Sequence, residues 1–160
     1  MIILGIDPGT ATTGYGIIQT KNKRRGTKNL RCINFGCVET NKDLDFSKRL
    51  LFLSKEIRKI TKDYQPEIAA IETLFFFKNK KTAIKVSQAI GVILLTLEKM
   101  KIPIVEYSPL EVKKFLTKNG WAKKDDIQKR VKKVLKLKEP LKPDDIADAL
   151  ALAIYAAHKL

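Results

Sequence analysis

The chain has 160 residues, 44% hydrophobic and 31% charged, the composition of a folded globular protein with one substantial core rather than a disordered one. Its 32 Lys and Arg against 17 Asp and Glu leave a net charge of +15, a field that draws polyanions and makes nucleic acid the first partner to consider; a lysine-rich genome or thermal adaptation is the plainer reading. No stretch supplies the about 18 consecutive apolar residues of a membrane span and the N-terminus carries no signal-peptide pattern, which predicts a cytoplasmic protein with no membrane partner.

The chain opens on Ile2-Ile3-Leu4-Gly5-Ile6-Asp7-Pro8-Gly9-Thr10, an apolar strand from Ile2 to Asp7 that ends in a carboxylate at a Pro-Gly turn. Gly14-Tyr15-Gly16-Ile17-Ile18 follows at once, so a strand from Tyr15 to Thr20 pairs with the first as a hairpin presenting Asp7. A carboxylate there is costly to bury unless it faces a cleft, a cation or a phosphate. Two readings stay open at this point: Asp7 holds a divalent metal, or the Gly/Thr turn cradles a nucleotide phosphate.

A basic connection, with Lys21, Lys23, Arg24, Arg25 and Lys28, leads to a third strand from Leu30 to Glu39. Cys32 and Cys37 lie an odd number of residues apart on it, so an uninterrupted strand aims them at opposite faces; they read as unbridged packing residues. A helix from Phe46 to Lys62 carries Leu50, Leu51, Leu53, Ile57 and Ile60 on one apolar face. Ile68-Ala69-Ala70-Ile71-Glu72 is then a short continuous apolar run, as a buried central strand requires, and it too ends in an acid. Phe75-Phe76-Phe77 cannot all face inward on one element, which leaves at least one ring exposed or in an interface.

The helix from Lys81 to Lys99 is apolar around much of its circumference, as for a helix buried centrally or half covered by a second subunit. A fifth strand spans Ile102 to Tyr107, and helices cover Pro109 to Leu116, Asp125 to Leu137 and Pro143 to His158. Between Lys113 and Lys138 the chain is dense in Lys and Arg, about half of it readable as solvated helix face. The turn Lys118-Asn119-Gly120-Trp121-Ala122-Lys123-Lys124 differs, because Gly120 permits close backbone approach to a phosphate. His158, the only histidine, meets the dipole of the last helix and takes no catalytic role. Three antiparallel strands followed by alternating helices and parallel strands predict an α/β fold, a mixed five-stranded sheet flanked by helices, in a single domain over residues 1–160.

If the first and fourth strands are parallel neighbours, Asp7 and Glu72 converge at one sheet edge. The last helix adds Asp145 and Asp148, three apart and therefore on one face. Clustered carboxylates repel unless a cation neutralises them, and all-oxygen ligation suits Mg²⁺, with Mn²⁺ as a substitute. Two such ions about 4 Å apart can activate a water and stabilise the leaving oxygen of a phosphodiester. The plainer readings are a salt-bridged strand end for Glu72 and, for Asp144, simple complementation of the helix dipole.

At these residues the chain resembles the RuvC-type Holliday-junction resolvases, crossover junction endodeoxyribonucleases of the ribonuclease H-like superfamily. The resemblance covers nearly the whole chain. It is carried by Gly5-Ile6-Asp7-Pro8-Gly9 with Gly14-Tyr15-Gly16, by Ala70-Ile71-Glu72 leading to Phe75 and Lys78-Asn79, by Ser87-Gln88-Ala89-Ile90-Gly91, and by Asp145-Ile146-Ala147-Asp148-Ala149-Leu150-Ala151. It implies that Asp7, Glu72, Asp145 and Asp148 are the catalytic, metal-holding carboxylates. It also implies that Phe75 stacks at the branch point, that Lys113 and Lys124 lie near the DNA backbone, and that the protein is a homodimer joined around the helix from Lys81; Lys78 beside Phe75, and Lys118 and Lys123 in the Gly120 turn, are read as further DNA-facing residues. The family pattern near Lys113 and Lys124 is more glycine-rich, with Gln where Asp126 stands. A branch-migration motor complex enters as a further partner on the resemblance alone.

The expected function is resolution of four-way junctions by paired symmetric nicks in DNA recombination and repair. Three alternatives stand beside it. The first is another ribonuclease H-like nuclease, acting on other branched DNA or on RNA–DNA hybrids. The second is an ATP-binding domain of the actin and Hsp70 type, which also begins with a strand, an Asp and a Gly/Thr turn but needs a second phosphate-binding turn not found here. The third is a nucleic-acid-binding relative without catalysis.

Overall fold

Two-residue alternation along β1 (Ile2–Asp7) sends Ile3, Gly5 and Asp7 to one face of a sheet and Leu4 and Ile6 to the other. The computed structural model describes residues 1–21, 29–73 and 80–160, and in it β1 is the central strand of five. The others are β2 (Thr12–Thr20), β3 (Leu30–Glu39), β4 (Ile68–Glu72) and β5 (Ile104–Tyr107), in the order β3-β2-β1-β4-β5. β1 pairs antiparallel with β2 and parallel with β4, so the sheet is mixed as the sequence pattern predicts.

The helices are α1 (Phe46–Tyr64), α2 (Lys80–Lys99), α3 (Pro109–Thr117), α4 (Lys124–Leu135) and α5 (Asp144–Lys159). Leu4, Ile6, Ile17, Ala69 and Ile71 pack under α1 and α2. Ile3, Ile18, Ile68 and Ala70 pack under α3, α4 and α5. The same parity that buries Ile68 and Ala70 beneath α5 turns Glu72 to that face, alongside Asp7. Both strand-end acids therefore emerge on the α5 side.

Boundaries shift where local chemistry overrides the pattern. β2 starts at Thr12, three residues before the expected Tyr15, because Gly14 still pairs with Asp7 in the ladder. β5 starts at Ile104 and not Ile102, since Pro103 has no N–H to give. α1 runs past Lys62 to Tyr64 and closes with Gln65 in the left-handed conformation. Pro143 is the N-cap of α5 and not its first residue.

Cys32 and Cys37 correct one expectation. The β2–β3 register shifts between Ile17 and Ile18, whose partners are Asn34 and Cys32, so Ile33 is an extra residue in β3. The bulge resets the alternation. Cys32 joins the core on the α5 side, and Cys37, opposite Gly14, faces the same way. Both are free thiols, and burial pushes Cys32 up to about 11.

α5 runs through the protein interior. From Ile146 to Ala157 every residue is buried except Asp148. This close seating depends on what β1 and β2 lack. A Cβ at Gly5 would lie 2.0 Å from the Ala149 carbonyl oxygen, and one at Gly14 would lie 2.1 Å from the Asp145 carbonyl oxygen. The alanines of α5 and the glycines of the hairpin bring helix backbone onto strand backbone. That contact sets the depth of Asp145 and Asp148 relative to Asp7.

Candidate active site

β1 and β4 stay in register through Ile6 opposite Ile71, so Asp7 and Glu72 follow as the next pair, one interstrand spacing apart. The two carboxyl groups lie close enough to act on each other's ionisation. Asp145 and Asp148 approach from the first turns of α5, and both add negative potential at Asp7. Burial, then Glu72, Asp148 and Asp145, hold the Asp7 carboxyl well above the usual range. Burial and Asp148 push Glu72 up to about 7, although Lys113 and Lys124 oppose the rise. Burial likewise raises Asp148, against the same two lysines. The structure thus brings together all four acids singled out in the sequence.

Asp7, Glu72 and Asp148, with raised proton affinity and Asp145 beside them, form a site built for positive charge. The donors are all oxygen, the chemistry that hard divalent cations such as Mg²⁺ and Mn²⁺ take. Among the described residues no three His, Cys, Asp or Glu side chains are gathered closely enough to hold a metal ion as they stand. The acids act on one another through their charge, so that positive charge at the site would favour their ionised form. The residues fit a divalent cation by their type and mutual repulsion.

Linkage fixes the sign of the resulting pH dependence. Below about pH 4.5 Glu72 is protonated folded or unfolded, and its contribution to stability is intact. As pH rises from there towards 7 the unfolded chain releases the proton that the folded site keeps, and stability falls by on the order of 3 kcal/mol. Thermal melts in EDTA should accordingly show a lower Tm at pH 8 than at pH 5. Glu72→Gln should flatten the difference and Mg²⁺ should reverse it at pH 8. A Tm that climbs with pH in EDTA would contradict this assignment.

Asp144 belongs to a separate arrangement that the sequence did not disclose. Its Oδ1 accepts from Gln128 Nε2 at 2.7 Å, and its Oδ2 lies 3.2 Å from Lys124 Nζ. Both oxygens therefore tie the start of α5 to α4, beyond the dipole role expected of the residue. Asp144 raises the proton affinity of Lys124, with Asp148 and Asp145 adding to it, so this lysine stays charged beside the acids. Lys113 on α3 is half-buried and acts on Glu72 and Asp148 from the other side.

Lys118 and Lys123 are exposed on the turn between α3 and α4. The backbone N–H of Lys123 donates to Asp126 Oδ2 at 3.3 Å, which gives Asp126 a helix-capping role at the start of α4. Phe75 and Lys78 lie outside the described residues, as do Phe76, Phe77, Lys23, Arg24, Arg25 and Lys28. His158 stacks on Phe115 with ring centres 4.4 Å apart, a packing role away from the four acids.

The Pro8–Gly9 turn settles the other reading of Asp7. The Thr13 hydroxyl donates to the Gly9 carbonyl at 3.0 Å and accepts the Gly9 N–H at 3.4 Å. The Thr10 carbonyl accepts from Thr40 Oγ1 at 2.9 Å and from the Arg49 guanidinium. The Gly9 N–H that a phosphate cradle would present is turned inward.

A family model described as crossover junction endodeoxyribonuclease RuvC matches residues 3–156. The chain belongs to the RuvC family. It is 51% identical over 154 residues to a crossover junction endodeoxyribonuclease RuvC of Caldicellulosiruptor saccharolyticus, covering 96% of this chain and 90% of that one. To the protein of the same name from Fusobacterium nucleatum it is 50% identical over 161 residues, with 100% and 82% covered. The solved RuvC of Thermus thermophilus superposes with a TM-score of 0.87 at 29% identity, covering 99% and 95% of the two chains. The same enzyme in complex with a Holliday junction substrate gives 0.85 at 27% identity, again covering 99% and 95%. RuvC membership makes the chain an endodeoxyribonuclease, and the ribonuclease H-like sheet is the fold expected of it. Among the described residues no helix is long and apolar enough to cross a membrane.

Proposed function

We propose that this RuvC protein resolves four-way DNA junctions by paired symmetric nicks, in DNA recombination and repair, as a Mg²⁺-dependent nuclease. The observation that carries the reading is the convergence of Asp7, Glu72, Asp145 and Asp148 on one face of the sheet, rimmed by Lys113 and Lys124. The junction is the substrate carried by the related complex from Thermus thermophilus. Other branched DNA or hybrids would meet the same acids, but no feature of the site favours them. The inward-turned Gly9 N–H disfavours the ATP-binding reading.

Asp7, Glu72, Asp145 and Asp148 are the residues that would hold Mg²⁺, with Mn²⁺ as a substitute. When bound, such an ion lowers the pKa of a water nucleophile and offsets charge on the leaving oxygen. The chain's own groups do the rest. Asp7 and Glu72, held above the usual carboxylate range by burial and neighbouring acids, would ionise as the site takes up positive charge. Lys113 and Lys124 attract the scissile phosphate and offset its charge. Asp144, clamped by Lys124 and Gln128, fixes the start of α5 and so the spacing of Asp145 and Asp148 from the strand ends.

A homodimer completes the reading, since paired nicks in a two-fold symmetric junction call for two sites related by a two-fold axis. Ala89, Ile93 and Leu97 bury one face of α2, while Ile84 and Leu95 remain exposed on another. Leu95 and the exposed Leu51 of α1 border an apolar groove of about 420 Å³. A second copy of the chain fits this face, on the far side of the sheet from the four acids. Incubation with a synthetic junction and Mg²⁺ should yield nicks at matching positions in two opposing strands and none in EDTA. Sedimentation at micromolar concentration should show a dimer. Unpaired nicking by a species that sediments only as a monomer would overturn the reading.

A further inference from the structure

The single tryptophan of the chain, Trp121, is 87% exposed, the reverse of where a large apolar ring normally goes. It does not sit on a loose loop. The Thr117 hydroxyl lies 2.8 Å from both the Lys113 and Asn119 carbonyl oxygens, its one hydrogen serving either, and accepts the Asn119 N–H at 3.2 Å. Asn119 Oδ1 accepts the Trp121 N–H at 3.0 Å, and the Asn119 carbonyl accepts the Ala122 N–H at 3.2 Å. The turn is thus tied down on both sides of Gly120 while the indole itself is left in water.

Its surroundings say what it awaits. Lys118 and Lys123 flank it in the same turn, and Lys124, three residues on, reaches Asp144 at the mouth of the carboxylate site. Three residues span at most about 11 Å of backbone, so Trp121 shares one short stretch of chain with the lysine at that mouth. Lys118, Asn119 and Ala122 of the same turn join Lys129, Arg130 and Lys133 of α4 along a groove of about 620 Å³. An exposed ring on a hydrogen-bonded turn rich in cationic side chains is the arrangement of a stacking platform on a nucleic-acid path. A protein partner matched to such a rim would need to be strongly acidic, and a membrane partner would need more than one apolar side chain.

We propose that Trp121 grips the DNA strand that passes the carboxylate site, stacking its indole on a base or deoxyribose of the junction. This makes Trp121 a positioning residue for the cut, separate from Phe75, and the inference rests on the proposed junction-binding function. Stacking on a base tolerates any sequence, so the ring adds affinity and register without sequence choice.

The ring is its own reporter, because the chain has no other tryptophan. A dye-labelled four-way junction titrated with the full-length protein in EDTA gives binding by anisotropy and contact by tryptophan emission. Emission should shift to the blue and quench in step with the anisotropy. Trp121→Ala should weaken binding by about fivefold to a hundredfold, and Trp121→Phe should restore most of it. Rising anisotropy with unchanged emission, or Trp121→Ala binding as tightly as wild type, would overturn the stacking role and leave the junction function standing. Failure of the wild-type chain to bind the junction would overturn both.

Discussion

Asp7→Asn should cut a four-way junction at least about 10³-fold more slowly than wild type while binding it as tightly, the scale of loss when an essential group of a catalytic set is removed. Asparagine keeps the shape of the side chain and one carbonyl oxygen but discards the charge that would hold a divalent cation. The same substitution removes one carboxyl group from a cluster in which burial, Glu72, Asp148 and Asp145 all oppose its ionisation. The metal-free variant should therefore melt at a higher temperature than metal-free wild type at pH 8. Activity and stability move in opposite directions, which a merely structural role for Asp7 cannot produce. Single-turnover nicking beside thermal melts in EDTA checks both, and wild-type cleavage rates in the variant would remove Asp7 from the site.

Gly5→Ala should be among the most damaging single substitutions in the chain, despite adding one methyl group far from solvent. The new Cβ would fall 2.0 Å from the Ala149 carbonyl oxygen and 2.9 Å from the Ala153 backbone nitrogen. Neither contact is with a flexible side chain, so α5 must move as a unit or the strand must bend. A loss of more than about 4 kcal/mol is the expected scale for a change that forces backbone apart in a core. In a chain of this size that lowers Tm by about 10 °C or more. Since the shift also lifts Asp145 and Asp148 away from Asp7, any folded Gly5→Ala protein should have lost most of its Mg²⁺-dependent nicking. A variant with unchanged Tm and full activity would show that α5 does not set the depth of the site.

These two residues mark how far the sequence could be read. Asp7 was legible because an acid at the end of an apolar strand, before Pro8-Gly9, has few uses other than binding a cation or a phosphate. Glu72 became its partner once parallel pairing of two strands was assumed, and the Ile6–Ile71 register bears that assumption out. Asp145 and Asp148 followed from helical spacing. The mixed sheet was legible from the order of strands and helices. Gly5 and Gly14 were visible only as motif letters, because a missing Cβ reveals its purpose when the opposing backbone is known.

Long-range pairing hid the rest. The clamp on Asp144 joins residues 16 and 20 positions apart on two helices, Gln128 and Lys124, and neither spacing has a sequence signature. The Ile33 bulge was equally invisible, since nothing in Leu30–Glu39 departs from an even strand pattern. It changes the outcome all the same, turning Cys37 to the side of the sheet where Asp145 stands. Trp121 was part of a recognised turn, yet its exposure depends on how α3 and α4 meet. A ring buried between them would have carried no functional signal.

The claim on which the rest depends is that the four carboxyl groups form a metal-dependent site for branched DNA. It is tested most directly by offering the wild-type protein a four-way junction, a flap, an RNA–DNA hybrid and a linear duplex side by side, with Mg²⁺ and with EDTA. Paired, symmetric nicks in the junction alone, and only with Mg²⁺, are the predicted result. Equal cutting of flap or hybrid, or junction cleavage that persists in EDTA, would contradict it.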